Sequence, residues 1–183
     1  IGRHLVEELL GHREGTIFVL VRQGSLPRLE SMIELWDTQR VVPVVGELGA
    51  DRLGVDETWV EQPRGDVDHF FHLAAIYDMT ADDEANEAMN VGGTRHALEL
   101  ARALEVGCFH QVSSVAVAGE YDGPFDESMF DEHQPLPSPY HRTKFLSEQL
   151  VREQTAVPWR VYRPAIVVGH SETGEIDKID GPY

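Results

Sequence analysis

A single cysteine, Cys108, is all the sequence contains. That excludes an internal disulfide and fits a reducing cytoplasm. Cys108 follows Gly107 and opens an apolar run at Phe109, the setting of a plain buried thiol rather than a reactive one. Long hydrophobic runs are missing too. The runs present, such as Ala165 to Val168, have strand length, far short of the ~18 residues that suggest a membrane span. The first ten residues lack the charged, then apolar, then small pattern of a secretory signal. Positive charge is scarce: Lys and Arg number 15 against 32 Asp and Glu, a formal net charge of −17. Such a surface repels nucleic acid phosphates and anionic membranes, yet leaves room for the local basic pocket a nucleotide cofactor needs. Nine histidines are present, but His133, in a Pro-rich stretch, and His141, at a helix start, show no metal-ligand spacing, and no metal site is read.

What is there is a globular pattern. The 183 residues, 42% hydrophobic and 26% charged, suffice for one domain with a sizeable core. Ile1, Leu5, Val6, Leu9 and Leu10 recur at helical spacing, with Gly11 as a C-cap. Thr16 to Val21 is a β-branched, apolar run of strand length. Leu29 to Trp36 reads as helix, and Val41 to Val45 as a strand that Pro43 pushes toward a sheet edge. Val67 to Ala75 is a strand turning into small residues, and Asp83 to Glu105 a long amphipathic helix. Phe109 to Val117 is a strand, Tyr121 to Pro139 a loop rich in Pro, Asp and Glu, and Tyr140 to Gln154 a helix. Trp159 to Tyr162 leads into a strand ending near Val168. Continuous apolar strands alternating with helices imply an α/β fold with a parallel sheet covered on both faces. Ligands in such sheets bind at the carboxyl ends of the strands. No repeat, low-complexity segment or dividing linker appears. The chain is helical almost from Ile1 and stops at Asp180-Gly181-Pro182-Tyr183 without a closing element, so the expectation is a domain lacking its outermost parts.

Chemistry concentrates at Tyr140-His141-Arg142-Thr143-Lys144. Tyr140 and Lys144 stand at i and i+4 and project from one helix face. An ammonium nearby favours a phenolate, so Lys144 would bring the Tyr140 phenol closer to proton exchange at neutral pH. Alone the pair is as well explained by a solvated helix surface. Upstream, however, Gln111-Val112-Ser113-Ser114 ends a strand. A serine there can hydrogen-bond a substrate oxygen beside the tyrosine, or serve only as a turn residue bonding its own backbone.

At this point the chain resembles the extended short-chain dehydrogenase/reductase family. Ile1-Gly2-Arg3-His4-Leu5 is similar to the end of that family's Gly-x-x-Gly-x-x-Gly segment, with Gly2 as the third glycine and the first strand upstream. Phe71-His72-Leu73-Ala74-Ala75 resembles its cofactor-facing turn, and Asn90-Val91-Gly92-Gly93-Thr94 its Asn-Val-x-Gly-Thr segment. Ser113-Ser114-Val115-Ala116-Val117-Ala118-Gly119 resembles its Ser-Ser-x-x-x-x-Gly stretch, and Arg163-Pro164-Ala165-Ile166-Val167 the segment that packs on nicotinamide. The resemblance implies a Rossmann-type doubly wound parallel sheet without its first strand. Residues 1–183 would be a partial NAD(P)-binding domain whose C-terminal substrate-binding part is mostly absent. It implies Tyr140 as general acid/base, Lys144 as its partner and a ligand of the nicotinamide ribose, Ser114 as the group orienting the substrate oxygen, and Asn90 as support. Against Asn90, Gly92-Gly93 and Leu73-Ala74-Ala75 stand plainer readings: an exposed helix position, close helix–sheet packing and small core residues. Gly2, Leu73, Ala74, Ala75, Pro164, Ala165 and Val167 would line the cofactor.

The residue after the second strand of the family selects the cofactor. An acidic residue there binds the 2′-hydroxyl of NAD, an arginine the 2′-phosphate of NADP. Here Phe18-Val19-Leu20-Val21 runs into Arg22-Gln23-Gly24-Ser25, and the planar guanidinium fork suits phosphate. NADP(H) rather than NAD(H) is expected, with Arg22 as phosphate ligand and Ser25 or Arg28 assisting. Gly46-Glu47-Leu48 stands where the family has Gly-Asp-Leu or Gly-Asp-Ile near the adenine, so Glu47 departs from the pattern. A narrower branch is resembled by Val21-Arg22, by Gly169-His170-Ser171-Glu172-Thr173-Gly174-Glu175 and by Asp180-Gly181-Pro182-Tyr183. It comprises fatty acyl-CoA reductases, carboxylic acid reductase domains and the thioester reductase modules of peptide synthetases. That branch implies reduction of an acyl thioester to aldehyde or alcohol, with coenzyme A or a carrier protein bearing the acyl group and a larger multidomain chain as context. A dehydrogenase or epimerase acting on an alcohol, ketone or nucleotide sugar would use the same Ser–Tyr–Lys group. A non-catalytic dinucleotide-binding protein is the third reading.

Overall fold

The computed structural model describes residues 1–74 and 87–176. Helix α1 (Gly2–His12) is followed by strand β1 (Ile17–Val21), α2 (Leu26–Leu35), β2 (Val41–Val45), the one-turn α3 (Glu57–Val60) and β3 (His69–His72). Then come α4 (Gly93–Ala103), β4 (Cys108–Val112), α5 (Pro139–Glu153) and β5 (Trp159–Tyr162). This is the alternating α/β order expected from the sequence, with α3 added. All pairings are parallel: β1 with β2, and β4 between β3 and β5. Backbone hydrogen bonds therefore form two sheets among the described residues, rather than the one continuous sheet expected. β2 pairs on one side only, where Pro43, without an N–H, is tolerated.

The core fills the space between the strands and α4, α5 and the segment after β2. It is built from Val44, Leu53, Val60, Leu98, Leu100, Phe109 and Val151 with their neighbours. β4 is its axis, because a central strand is covered on both faces: Phe109, His110 and Gln111 are all buried. On its other face His110 receives a row of rings. Its Nε2 meets His69 Nδ1 at 3.0 Å and its Nδ1 the Tyr162 hydroxyl at 2.9 Å. α1 and α2 lie outside the core cluster. α1 buries none of its residues fully, although Leu5, Val6, Leu9 and Leu10 share a face. It bridges the two sheets: a Cβ on Gly2 would lie 3.5 Å from Leu73, just past β3, while Arg40, just before β2, donates to the Leu10 and Arg13 carbonyls.

Several boundaries differ from the sequence expectation. Gly11 lies inside α1, which closes on the extended Arg13, and the left-handed glycine is Gly15. The strand expected to reach Val117 stops at Val112, because the Ser114 hydroxyl captures the Ala116 N–H and starts a 3-10 turn over Val115–Ala118. The strand expected to run near Val168 stops at Tyr162; Arg163 turns inward to an ion pair. The long helix expected from Asp83 enters the described residues as a π-helical turn over Glu87–Gly92 before α4; its first residues and Ala75 lie outside them. Cys108, expected to be buried, is only partly so, since it starts β4 at the sheet margin.

Close approach dictates glycine at several positions, Gly93 and Gly119 among them. A Cβ on Gly93 would stand 2.6 Å from Leu48 Cγ. Gly119 has φ +52°, and a Cβ there would overlap the Pro135 carbonyl oxygen, part of the loop leading to α5. Overpacking of this kind costs about 1–3 kcal/mol. Leu48 can rotate away, whereas Pro135 O is backbone and the conformation itself excludes a side chain. Gly119→Ala is therefore expected to lower the midpoint of chemical unfolding more than Gly93→Ala, and equal midpoints would contradict this account.

Candidate active site

The carboxyl end of β4 delivers Ser113 and Ser114. The Ser114 Oγ accepts the Ala116 N–H at 3.1 Å, so its own O–H is left to donate. α5 starts beside this turn for local reasons. Ser138 is the N-cap, accepting the His141 N–H, and Pro139 occupies the first helical position, where its missing N–H costs nothing. Tyr140 therefore falls in the first turn and Lys144 one turn later.

α5 packs with a polar face inward. Thr143, Lys144, Ser147 and Glu148 are all buried, followed by Val151. Lys144 is 4% exposed and its Nζ donates to the Val112 carbonyl at 2.9 Å, two residues before Ser114. Burial pulls the ammonium down from the usual lysine range to about 8, with the Glu148 carboxylate opposing. The surface-pair explanation of Tyr-x-x-x-Lys fails for Lys144 on this burial. Asn90, 2% exposed, is likewise no exposed helix residue. Its Nδ2 donates to Thr143 Oγ1 at 3.1 Å, and its carbonyl accepts from Thr94 at 2.7 Å and Ser147 at 2.9 Å. It ties the start of α4 to α5.

The Glu148 carboxylate, wholly buried, meets two guanidinium groups. Oε1 accepts from Arg152 Nε at 2.7 Å and Arg163 Nη2 at 2.7 Å. Burial alone would raise this carboxyl. Hydrogen bonds from Arg163 and Arg152, with the Ser113 hydroxyl close by, outweigh it and hold the group below its usual range. The Ser113 Oγ sits beside the carboxylate without reaching full hydrogen-bond geometry; its nearness stabilises the charge. Arg163 also donates to the carbonyls of Asp126 and Met129 and lies 5.3 Å over Phe125. The loop over Tyr121–Ser138 is thereby fastened beside Ser114 and Tyr140.

The expected cofactor residues occupy carboxyl ends of successive strands. Arg22, after β1, is exposed and has no ionic partner among the described residues. After β2, Glu47 is exposed and its Oε1 accepts the Leu48 N–H at 3.1 Å, while Leu48 packs under Gly93. After β3, Leu73 meets Gly2 and Ala74 is exposed. After β5, Pro164 accepts the Val115 N–H, Ala165 is exposed and Val167 is 60% exposed. The Gly-x-Ser-x-Thr-Gly-Glu stretch closes into a turn, with His170 Nδ1 accepting the Glu172 and Thr173 N–H groups at 3.2 Å; Asp180 to Tyr183 lie outside the described residues. A surface recess between Gly11 and Arg40 opens at the opposite end of α1, and Arg40 is already spent on carbonyls there. Sequence reasoning did not single out His72, Thr94, Thr143, Ser147, Glu148 or Arg163 as site residues. For those on α5 the only trace was a repeat at 140, 143, 144, 147 and 148, the spacing of one helix face, in a helix whose other faces are polar too.

Comparison with known proteins places this geometry. The profile of the family described as Male sterility protein, an NAD-binding family, matches residues 1–183. A linear gramicidin synthase of Brevibacillus parabrevis is 29% identical over 98% of this chain, which spans 4% of that protein. Glycine betaine reductase ATRR of Emericella nidulans is 31% identical over 98% of this chain, which spans 16% of it. The solved terminal R domain from the myxalamid PKS-NRPS biosynthetic pathway superposes with a TM-score of 0.80 at 30% identity, covering 94% of this chain and 47% of that one.

Removing one member of a buried ion cluster leaves an uncompensated charge at a cost of about 3–5 kcal/mol. Glu148→Ala, which strands Arg163 and Arg152, is expected to destabilise the protein by about that amount in urea unfolding. A change within about 0.5 kcal/mol, the range of ordinary surface substitutions, would show that the cluster does not hold the loop.

Proposed function

The chain belongs to the male sterility protein family, of the extended short-chain dehydrogenase/reductase type, and from that premise we propose that it reduces acyl thioesters at the expense of NADPH. The observation that carries this reading is the buried Lys144 ammonium, fixed on Val112 at the carboxyl end of β4 between Ser114 and the Tyr140 turn. Residues 1–183 form, on this reading, the dinucleotide-binding part of a longer chain. A further parallel strand ahead of α1 fits between β1 and β3, whose outer edges are unpaired among the described residues and which α1 bridges.

The residues present fit a dinucleotide. The exposed Arg22 suits a 2′-phosphate, Gly2 allows close approach at the start of α1, and Glu47 and Leu48 stand for the adenine. Leu73, Ala74, Pro164, Ala165 and Val167 border the carboxyl ends of β3 and β5. When bound, the reduced nicotinamide supplies hydride to the thioester carbonyl carbon. Ser114 donates its free O–H to the carbonyl oxygen and Tyr140 is the second donor. Both stabilise the negative charge that develops there, as preorganised donors do. Lys144 spends one N–H on Val112, keeping two for the ribose and for Tyr140. Asn90 holds Thr143 and so the turn carrying Tyr140. Collapse of the tetrahedral adduct expels the thiolate, which takes up a proton, and leaves an aldehyde; after exchange for a second NADPH, a further hydride and a proton would give the alcohol. The synthase and R-domain relatives favour an acyl group carried on a carrier protein over free fatty acyl-CoA.

NADPH consumption by the full-length protein should appear with an acyl-pantetheine carrier and vanish in Tyr140→Phe. Because kcat/KM reports the free enzyme, it should fall as pH rises through about 8, where Lys144 loses its charge. No thioester turnover, with turnover of a ketone or sugar nucleotide instead, would overturn the substrate assignment. Separately, Arg22→Ala should weaken NADPH binding at least tenfold, the loss of a charge-assisted contact, and leave NADH binding unchanged. Equal losses for both cofactors would remove Arg22 as the phosphate ligand.

A further inference from the structure

His72 closes β3 and belongs to no surface: it is 4% exposed. Its Nε2 lies 3.1 Å from Thr94 Oγ1. The Thr94 hydroxyl has one proton and gives it to the Asn90 carbonyl at 2.7 Å, so toward His72 it can only accept. The imidazole is thereby assigned as the Nε2–H tautomer. From Asn90 the chain continues in the same sense. Its Nδ2 donates to Thr143 Oγ1, and Thr143 Oγ1 donates to the Tyr140 carbonyl at 3.3 Å. One row of donors thus starts at the strand end that leads into Leu73-Ala74 and finishes in the first turn of α5.

We propose that His72 is a positioning residue for Tyr140, acting through Thr94, Asn90 and Thr143 to hold the first turn of α5 against the site. The inference rests on the reading of Tyr140 as the acid of thioester reduction. Three features support it. The links from His72 to Thr143 are buried, where a hydrogen bond exchanges for nothing when broken. The links join three elements, β3, α4 and α5, in a single row. And the groups facing the imidazole are Lys144 on α5, Thr94 on α4 and its register partner Gln111 on β4. Burial and the Lys144 charge hold it neutral, with a titration pushed down to about 4, so it keeps one N–H to give at any working pH.

The test compares His72→Leu, Thr94→Val and His72→Gln in the full-length protein, the glutamine amide reproducing the Nε2–H donor. Hydrogen exchange, read without substrate, should rise on the order of tenfold over Tyr140–Lys144 in the leucine and valine variants, one hydrogen bond's worth, and return in His72→Gln. With NADPH and an acyl thioester, kcat should fall ten- to a hundredfold, on the order of a small misplacement of a catalytic group, while KM for NADPH stays. A purely structural role would raise exchange uniformly and lower the melting temperature without sparing His72→Gln. Unchanged exchange at the start of α5, or a glutamine variant no better than leucine, overturns the proposal. Localised loosening in a protein whose wild type reduces no thioester would leave the positioning intact and remove the proposed function instead.

Discussion

The inward face of α5 is polar, and everything around the site follows from the need to satisfy it. Taking Thr143, Lys144, Ser147 and Glu148 out of water is unfavourable unless each meets a partner. The partners come from different parts of the chain: Val112 from β4, Asn90 from the turn before α4, Arg163 from the exit of β5. A helix with an apolar inner face could slide or rotate by small steps at little cost. One whose inner face must meet a carbonyl, an amide and a guanidinium at hydrogen-bond distance has a single seat. That seat fixes where Tyr140 stands relative to Ser114.

The parallel strands supply the other half of the geometry. Within each sheet the strands run the same way, so the carboxyl ends of β1 and β2 bring Arg22 and Glu47 to one edge, and those of β3 and β4 bring Leu73 and Ser114 to another. α1 starts against Leu73, and α5 packs on the end of β4 through Lys144 and Val112. Burial then separates the two kinds of residue found there. Arg22, Glu47 and Val167, proposed to face a ligand, are exposed; Asn90 and Glu148, which hold the frame, are not, and Lys144, proposed for both tasks, is buried with them.

Much of this was legible in the sequence. The order of strands and helices follows from apolar runs and spacing, and with it the places of Ser114 just after β4 and of Tyr140 and Lys144 on α5. The failures have specific causes. β4 ends at Val112 rather than Val117 because a side-chain oxygen at Ser114 competes for a backbone N–H, and β5 ends at Tyr162 because Arg163 is drawn to a carboxylate distant in sequence. Neither partner is visible to a reading of local propensity. The buried face of α5, carried by Thr, Lys, Ser and Glu, has no apolar periodicity and so looks like a solvated one. Asn90 is ambiguous for the same reason: a buried amide and an exposed one are written with the same letter.

The Glu148 carboxylate serves two arginines at once, one from its own helix and one from beyond β5, and the second also grips the loop carbonyls of Asp126 and Met129. Three stretches of sequence are thus bound to a single charge. None can drift independently: a neutral residue at 148 is tolerable only once both cations have been replaced, and those replacements are tolerable only once the carboxylate is gone. Lineages descending from such a chain are therefore confined to keeping the trio whole or losing it in one coordinated change. At Asp126 and Met129 what Arg163 holds is backbone, so those two side chains carry no part of the grip, whereas Phe125 lies under the guanidinium.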